Sequence, residues 1–182
     1  MNINEYQNYH ETKAHTSAEF PYNTYLCSIP LDFPGVPLHW HDELELVVIK
    51  RGQGFVSVDF DKRLVHSGDI IIIPPRCLHA IEQDDTFKME YENIIFKPDL
   101  LSSGANDLCM IQYIVPLLDG SLPIEYFLTP ALGSFEALSN CIRQIDLVCA
   151  DQTPGWQLAV KSSLFNFFFL LISERQKKTV ST

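Results

Sequence analysis

Pro37-Leu-His-Trp-His-Asp-Glu-Leu-Glu-Leu-Val-Val-Ile-Lys-Arg-Gly52 is the stretch on which the reading of this 182-residue chain turns. Leu44 to Ile49 is an apolar run rich in β-branched residues, and Arg51-Gly52 closes it as a turn does, so a strand is expected over about 38–50. Alternate side chains of a strand share a face. That parity sets His39, His41 and Glu45 side by side, two imidazoles and a carboxylate on one rigid element. A second stretch, Gly68-Asp-Ile-Ile-Ile-Ile-Pro-Pro-Arg-Cys-Leu-His79, reads as a turn, a buried strand over Ile70 to Ile73 and a stop at Pro74-Pro75, with His79 just beyond. If the two strands face each other across a barrel interior, His79 completes a cluster of three histidines and one glutamate.

Those residues resemble the cupin family. His39-x-His41, Glu45 and Gly52 follow its first motif, with Gly35 closer to His39 than the family's leading glycine. Gly68, Pro74 and His79 follow the second motif, in which Arg76 stands for a glycine and Gln83 for an asparagine. The resemblance implies a cupin-type antiparallel β-barrel, a jelly-roll. It implies little about activity, because one fold hosts many functions.

Composition narrows the classes. A chain of this length suits one domain, or one with an appendage, and can bury a sizeable core. Hydrophobic content of 46% argues for a globular chain. A net charge of −10 argues against a phosphate-binding surface on this segment. The five cysteines, Cys27, Cys77, Cys109, Cys141 and Cys149, are odd in number and lack CxxC spacing, which favours reduced thiols and a cytoplasmic setting over a disulfide frame or zinc knuckle. Met1 to Phe20 is polar and carries no secretory signal pattern, and the apolar run Leu164 to Ile172 is too short to span a bilayer, so no membrane partner is expected.

In chain order, residues 1–19 read as a polar, loosely ordered arm in which His10 and His15 are solvated. A short strand is expected over Phe20 to Ile29, and Pro30 to Pro37 forces a loop. Strands then follow at about 38–50, 54–60, 62–66, 69–74, 78–83 and 86–96, the rhythm of an antiparallel sandwich or barrel. In the last of these Tyr91 and Asn93 share a face and are candidate pocket residues, with ordinary sandwich packing as the alternative. Glu43 is either a further pocket group or turned outward by a bulge. After Lys97-Pro98 the period becomes helical: about 107–118, then 133–150, a break at Asp151 to Gly155, and a final helix over about 154–178. That last helix is apolar nearly all round and must be buried on more than one side. One side of it can lie on the barrel, and the other wants either the 133–150 helix or a second subunit; the domains expected are an arm and barrel over 1–98 and a helical segment, read as the dimerisation segment, over 99–182.

A barrel of this kind followed by two long helices resembles the amino-terminal part of arabinose-type (AraC-family) transcription regulators, over about Tyr22 to Lys178. His39 to Glu45, Gly68-Asp69 through Pro74-Pro75, and His79 carry the likeness. The resemblance implies a mainly β fold with a C-terminal α-helical dimerisation hairpin, a small-molecule effector and a homodimer. It also implies DNA binding through a helix-turn-helix domain outside these residues.

Two imidazoles or three with a carboxylate suit Zn, Ni, Mn or Fe(II). The same groups can hold the hydroxyls of a sugar by hydrogen bonds, so a divalent metal is admitted and no cofactor is required. The candidate ligand-binding residues are His39, His41, Glu45, His79, Tyr91 and Asn93, and His39, His41, Glu45 and His79 are the candidate metal ligands. No catalytic residue is identified, because open-site chemistry needs further acid/base groups. The reading is a non-enzymatic effector sensor; the alternative is a stand-alone metal-dependent cupin oxygenase or isomerase.

Overall fold

Eight strands are found among the described residues: β1 (Tyr22–Ile29), β2 (Gly35–His39), β3 (Leu44–Val58), β4 (Asp61–His66), β5 (Ile70–Ile73), β6 (His79–Gln83), β7 (Met89–Phe96) and β8 (Phe127–Leu128). The structure, a computed structural model, describes residues 3–104 and 107–180. It divides into two compact units, one running to Lys97 and including Tyr126–Leu128, the other made of Pro98–Glu125 and the chain from Thr129 onward.

In the first unit every named strand pairing is antiparallel. One sheet has the order β1-β7-β3-β5-β8; the other is built by β6 pairing with both β2 and β3, and by β4 on β3. The long strand β3 belongs to both. Its first part pairs with β7 and β5, and from Gln53 it pairs with β4 and β6. The bend falls at Gly52, after a register shift between Ile49 and Arg51. Gly52 has φ +77°, and a Cβ there would lie 1.8 Å from the Lys88 carbonyl oxygen, so the chain can turn from sheet to sheet only with glycine. Val47, Ile71 and Tyr91 from the first sheet and Val56, Val65 and Ile81 from the second share one buried cluster. Each such side chain contributes about 1.5–3 kcal/mol on burial. Two antiparallel sheets close on a common core, the arrangement expected of a cupin-type jelly-roll, although among the described residues the hydrogen-bonded path itself does not form a ring.

Local expectations need correction at three points. The single strand expected over 38–50 is broken: β2 ends at His39, β3 begins at Leu44, and the chain changes sheet between them. The proline-rich loop expected to Pro37 is shorter, because Gly35 to Pro37 already belong to β2, an edge strand where a missing N–H costs little. Gly52 bends β3 and does not end it.

The arm opens with α1 (Ile3–Gln7). In the second unit a π-helical turn, Met110–Ile114, runs into α2 (Val115–Leu118), where Pro116 falls in the first turn and needs no N–H. The longer helices are α3 (Phe135–Asp151) and α4 (Trp156–Val180). Gln152, in left-handed conformation, ends α3 by giving its N–H to Val148 O at 3.0 Å. α3 buries Leu138, Cys141, Ile142 and Ile145, the three-and-four spacing expected. It packs against α4, where Asn166 donates to Cys141 Sγ at 3.3 Å. On α4, Leu158, Phe165 and Phe169 stay exposed. α4 has the length expected, but the apolar run is not confined to Leu164–Ile172: Trp156–Arg175 is long and apolar enough, by length and composition, to cross a bilayer.

Candidate functional site

The cluster expected from the two motifs does form, although its members come from three places. His39 ends β2 and stands opposite His79, the first residue of β6, in the strand register. His41 lies on the connection between β2 and β3, and Glu45 is the second residue of β3. The rings of His39 and His79 are 4.1 Å apart, those of His41 and His79 5.0 Å, and those of His39 and His41 5.6 Å. One nitrogen from each of the three lies within 4.8 Å of the others. Glu45 reaches two of them, 3.0 Å from His41 Nε2 and 3.4 Å from His79 Nε2. Glu43 is not turned outward: it is buried, with Oε2 3.6 Å from His41 Nδ1.

Tautomers follow from the backbone. His39 Nδ1 bonds Pro37 O at 2.9 Å, and His79 Nδ1 bonds Cys77 O at 2.9 Å. A carbonyl can only accept, so both rings carry hydrogen on Nδ1 and, when neutral, present a lone pair at Nε2. The lone pair of His79 faces the Glu45 carboxylate and has no donor. Two acceptors at that distance repel unless a proton on the imidazole or a metal cation lies between them. Backbone-oriented imidazoles with open Nε2 atoms, beside a buried carboxylate, are the arrangement metal ligands need. His39, His41, Glu45 and His79 therefore fit a divalent metal chemically.

Electrostatics agree with that donor set. Burial alone would raise the Glu45 carboxyl, but once the rings are protonated the hydrogen bonds from His41 and His79, and their charge, hold it far below the usual carboxylate range. Burial lowers His41, yet its bond to Glu45 and the fields of Glu45 and Glu43 outweigh it, and His41 titrates above the ordinary value. His39 moves down, through burial first and then the neighbouring His79.

These groups line a cavity of about 390 Å³, into which Tyr91 and Asn93 also project from β7. The Tyr91 hydroxyl has no partner beyond the weak Cys27 thiol, and Asn93 Oδ1 is buried without a donor. Burial pushes the Tyr91 phenol well up. All six expected site residues thus reach one cavity, and the structure adds two more: Glu11 and His15.

The arm, expected to be loose with His10 and His15 solvated, is docked. Trp40, between the two motif histidines, is stacked by Tyr6 on a ring distance of 4.8 Å and by His10 at 4.1 Å. Trp40 Nε1 donates to Tyr6 O at 2.8 Å, Glu11 N to Trp40 O at 2.9 Å, and Trp40 N to Tyr9 O at 2.9 Å. Further along, His15 O accepts from Asn23 Nδ2 at 2.9 Å and from Tyr25 Oη at 3.1 Å. The one legible signal was an indole between two motif histidines, with nothing in its own strand to cover it.

Departures from the cupin pattern have local compensation. Arg76 takes φ +64°, the conformation for which the pattern's glycine is suited. Its N–H bonds His41 O at 2.7 Å and its Nε bonds Asp42 Oδ1 at 2.8 Å, which ties the second motif to the first. Gln83 gives its amide to Phe87 O at 2.9 Å.

Comparison with known proteins follows the same lines. A family model described as the AraC-like ligand binding domain matches residues 25–168. The uncharacterized HTH-type transcriptional regulator YdeC of Bacillus subtilis (strain 168) is 32% identical over 159 residues, covering 87% of this chain and 54% of that protein. A second B. subtilis regulator of that type, YbfI, also uncharacterized, is 26% identical over 72 residues, 40% of this chain and 26% of its own length. The chain therefore spans about half the length of the first relative and about a quarter of the second. Among solved structures, a cupin protein from Bacteroides fragilis aligns with TM-score 0.41 at 24% identity, over 48% of this chain and 80% of that one.

Proposed function

The chain belongs to the AraC-like ligand binding domain family, and from that premise we propose that it is the effector-sensing and dimerisation part of a transcription regulator. The effector would be a small polar molecule, sugar-like in its hydroxyls, held in the cavity by His39, His41, Glu45, His79, Tyr91 and Asn93. One observation carries this reading: the buried polar atoms of the cavity, His41 Nδ1, His79 Nε2, Tyr91 Oη and Asn93 Oδ1, lack hydrogen-bonding partners among the described residues, apart from the weak Cys27 thiol beside Tyr91. Leaving such groups unpaired costs about 1–3 kcal/mol each, so a ligand offering donors and acceptors at those points is favoured. About 390 Å³ is room for a small molecule. A divalent metal, where bound, would be held by the three histidines with Glu45 and would offer open positions to effector oxygens.

DNA contact would lie in a helix-turn-helix region such as the names of the two relatives indicate, in keeping with the charge of −10 on this segment and with a cytoplasmic, non-enzymatic protein. Dimerisation is assigned to the helices because Leu158, Phe165 and Phe169 fall on one face of α4 at helical spacing and are exposed. Screening sugars and related polyols by thermal shift, then titrating the best by calorimetry, tests the pocket. His39→Ala and His79→Ala should each weaken effector affinity about 10-fold or more while the far-ultraviolet dichroism stays that of the parent. Unchanged affinity in both would sink the assignment.

The open Nε2 atoms also favour a second reading, a metal-dependent oxygenase or isomerase. That reading requires turnover that chelation abolishes.

A further inference from the structure

Glu11 lies far from the motifs in sequence, yet its carboxylate stands at the imidazole cluster. Glu11 Oε2 is 2.9 Å from His15 Nε2 and 3.4 Å from His39 Nε2. Because His39 gives its Nδ1 hydrogen to Pro37 O, the nitrogen that faces Glu11 carries a lone pair when the ring is neutral. This repeats the situation of His79 and Glu45, also 3.4 Å apart. The cluster thus contains two carboxylate–imidazole contacts that are acceptor against acceptor, and a positive ion among them relieves both.

The position of Glu11 is not an accident of a loose chain end. The Trp40 stack, two backbone bonds and the indole's bond to Tyr6 O fix the arm on one side of it, and Asn23 and Tyr25 fix His15 on the other. His15 in turn orients the Glu11 carboxylate, which stays ionised below the usual range: burial would raise it, but the His15 hydrogen bond and the fields of His15, His39 and His41 prevail.

We propose that Glu11 is an additional, arm-borne ligand to a divalent cation held by His39, His41 and His79, so that cation binding and arm docking stabilise each other. His15 is a positioning residue that aims the carboxylate. The proposal rests on the reading of the histidine cluster as a cation site. Coupling of this kind is reciprocal: whatever factor the docked arm adds to cation affinity, the cation adds to arm docking.

Co²⁺ alone is a suitable probe, added to the chelator-treated chain and followed by calorimetry and by its visible absorption. Wild type should bind one Co²⁺, and Glu11→Ala and the isosteric Glu11→Gln should weaken it about 10- to 100-fold with altered absorption. The double change Tyr6→Ala/His10→Ala, which removes both faces of the Trp40 stack and no ligand, should weaken binding in the same direction. Hydrogen exchange at the Glu11 and Trp40 amides should slow on Co²⁺ saturation in wild type and not in Glu11→Gln. Equal Co²⁺ affinity in wild type and both Glu11 variants, with amide exchange indifferent to the metal, overturns the proposal while leaving the cluster a cation site. No Co²⁺ binding by wild type overturns the cluster reading and the proposal with it.

Discussion

Glu45 and His41 form a buried charge pair, and its contribution to stability varies with pH with a definite sign. The Glu45 carboxyl is depressed on folding, so its contribution is full above the unfolded value of 4.5 and is lost as pH falls towards the lower folded value. His41 is raised on folding, so its contribution is full below the unfolded value of 6.5 and is lost as pH rises through the folded one. Both are present between those two values. In metal-free protein the stability difference between wild type and Glu45→Gln is therefore expected to be greatest there, about 3–5 kcal/mol, and to shrink on either side. His39 shifts the opposite way, through burial first; Glu45 is among the charges that raise it, so its removal lowers His39 further and that change enters the difference. Thermal denaturation across that range measures it, and a difference independent of pH would show that the pair is not charged. The four cluster residues were legible because ligand types recurred at motif spacing, and Tyr91 and Asn93 because a strand alternates. Glu11 and His15 were not, since the arm has no period and its partner, Trp40, lies about thirty residues on.

At the scale of elements, the sandwich depends on one residue of β3. Gly52→Ala meets both a positive φ and the Lys88 carbonyl and should cost about 2–5 kcal/mol, read as a lower urea midpoint with the slope retained. A cost under about 1 kcal/mol would mean that the backbone shifts freely there. The strand pattern itself was legible from alternation and turn residues, and so were the two long helices from their period. What the sequence hid was the passage of β3 between sheets, because glycine with φ above zero serves a strand-ending turn and a strand-bending bulge alike. The partner strand β8, only two residues long, was hidden as well: Phe127-Leu128 reaches β5 from a distant part of the chain and has no length from which to show a period.

For the whole molecule, the apolar face of α4 makes a claim about assembly. If that face is the dimer contact, Phe169→Glu should raise the dimer dissociation constant at least about 10-fold, seen by sedimentation over a range of concentrations. A wild-type chain that sediments as a monomer at high concentration would remove the dimer from the proposed function. Charge, length and motif spacing made the class of molecule legible; the docking of the arm beside the pocket was legible only in three dimensions. That docking also leaves an optical mark. The chain has two tryptophans, and Trp40 is the one whose indole lies between the phenol of Tyr6 and the imidazole of His10. A protonated imidazole stacked on an indole quenches its emission by accepting an electron from the excited ring, and brightness returns when that neighbour departs. With Trp156 replaced by phenylalanine, the emission of the remaining indole becomes a gauge of whether residues 3–15 are seated, readable in solution without label or ligand.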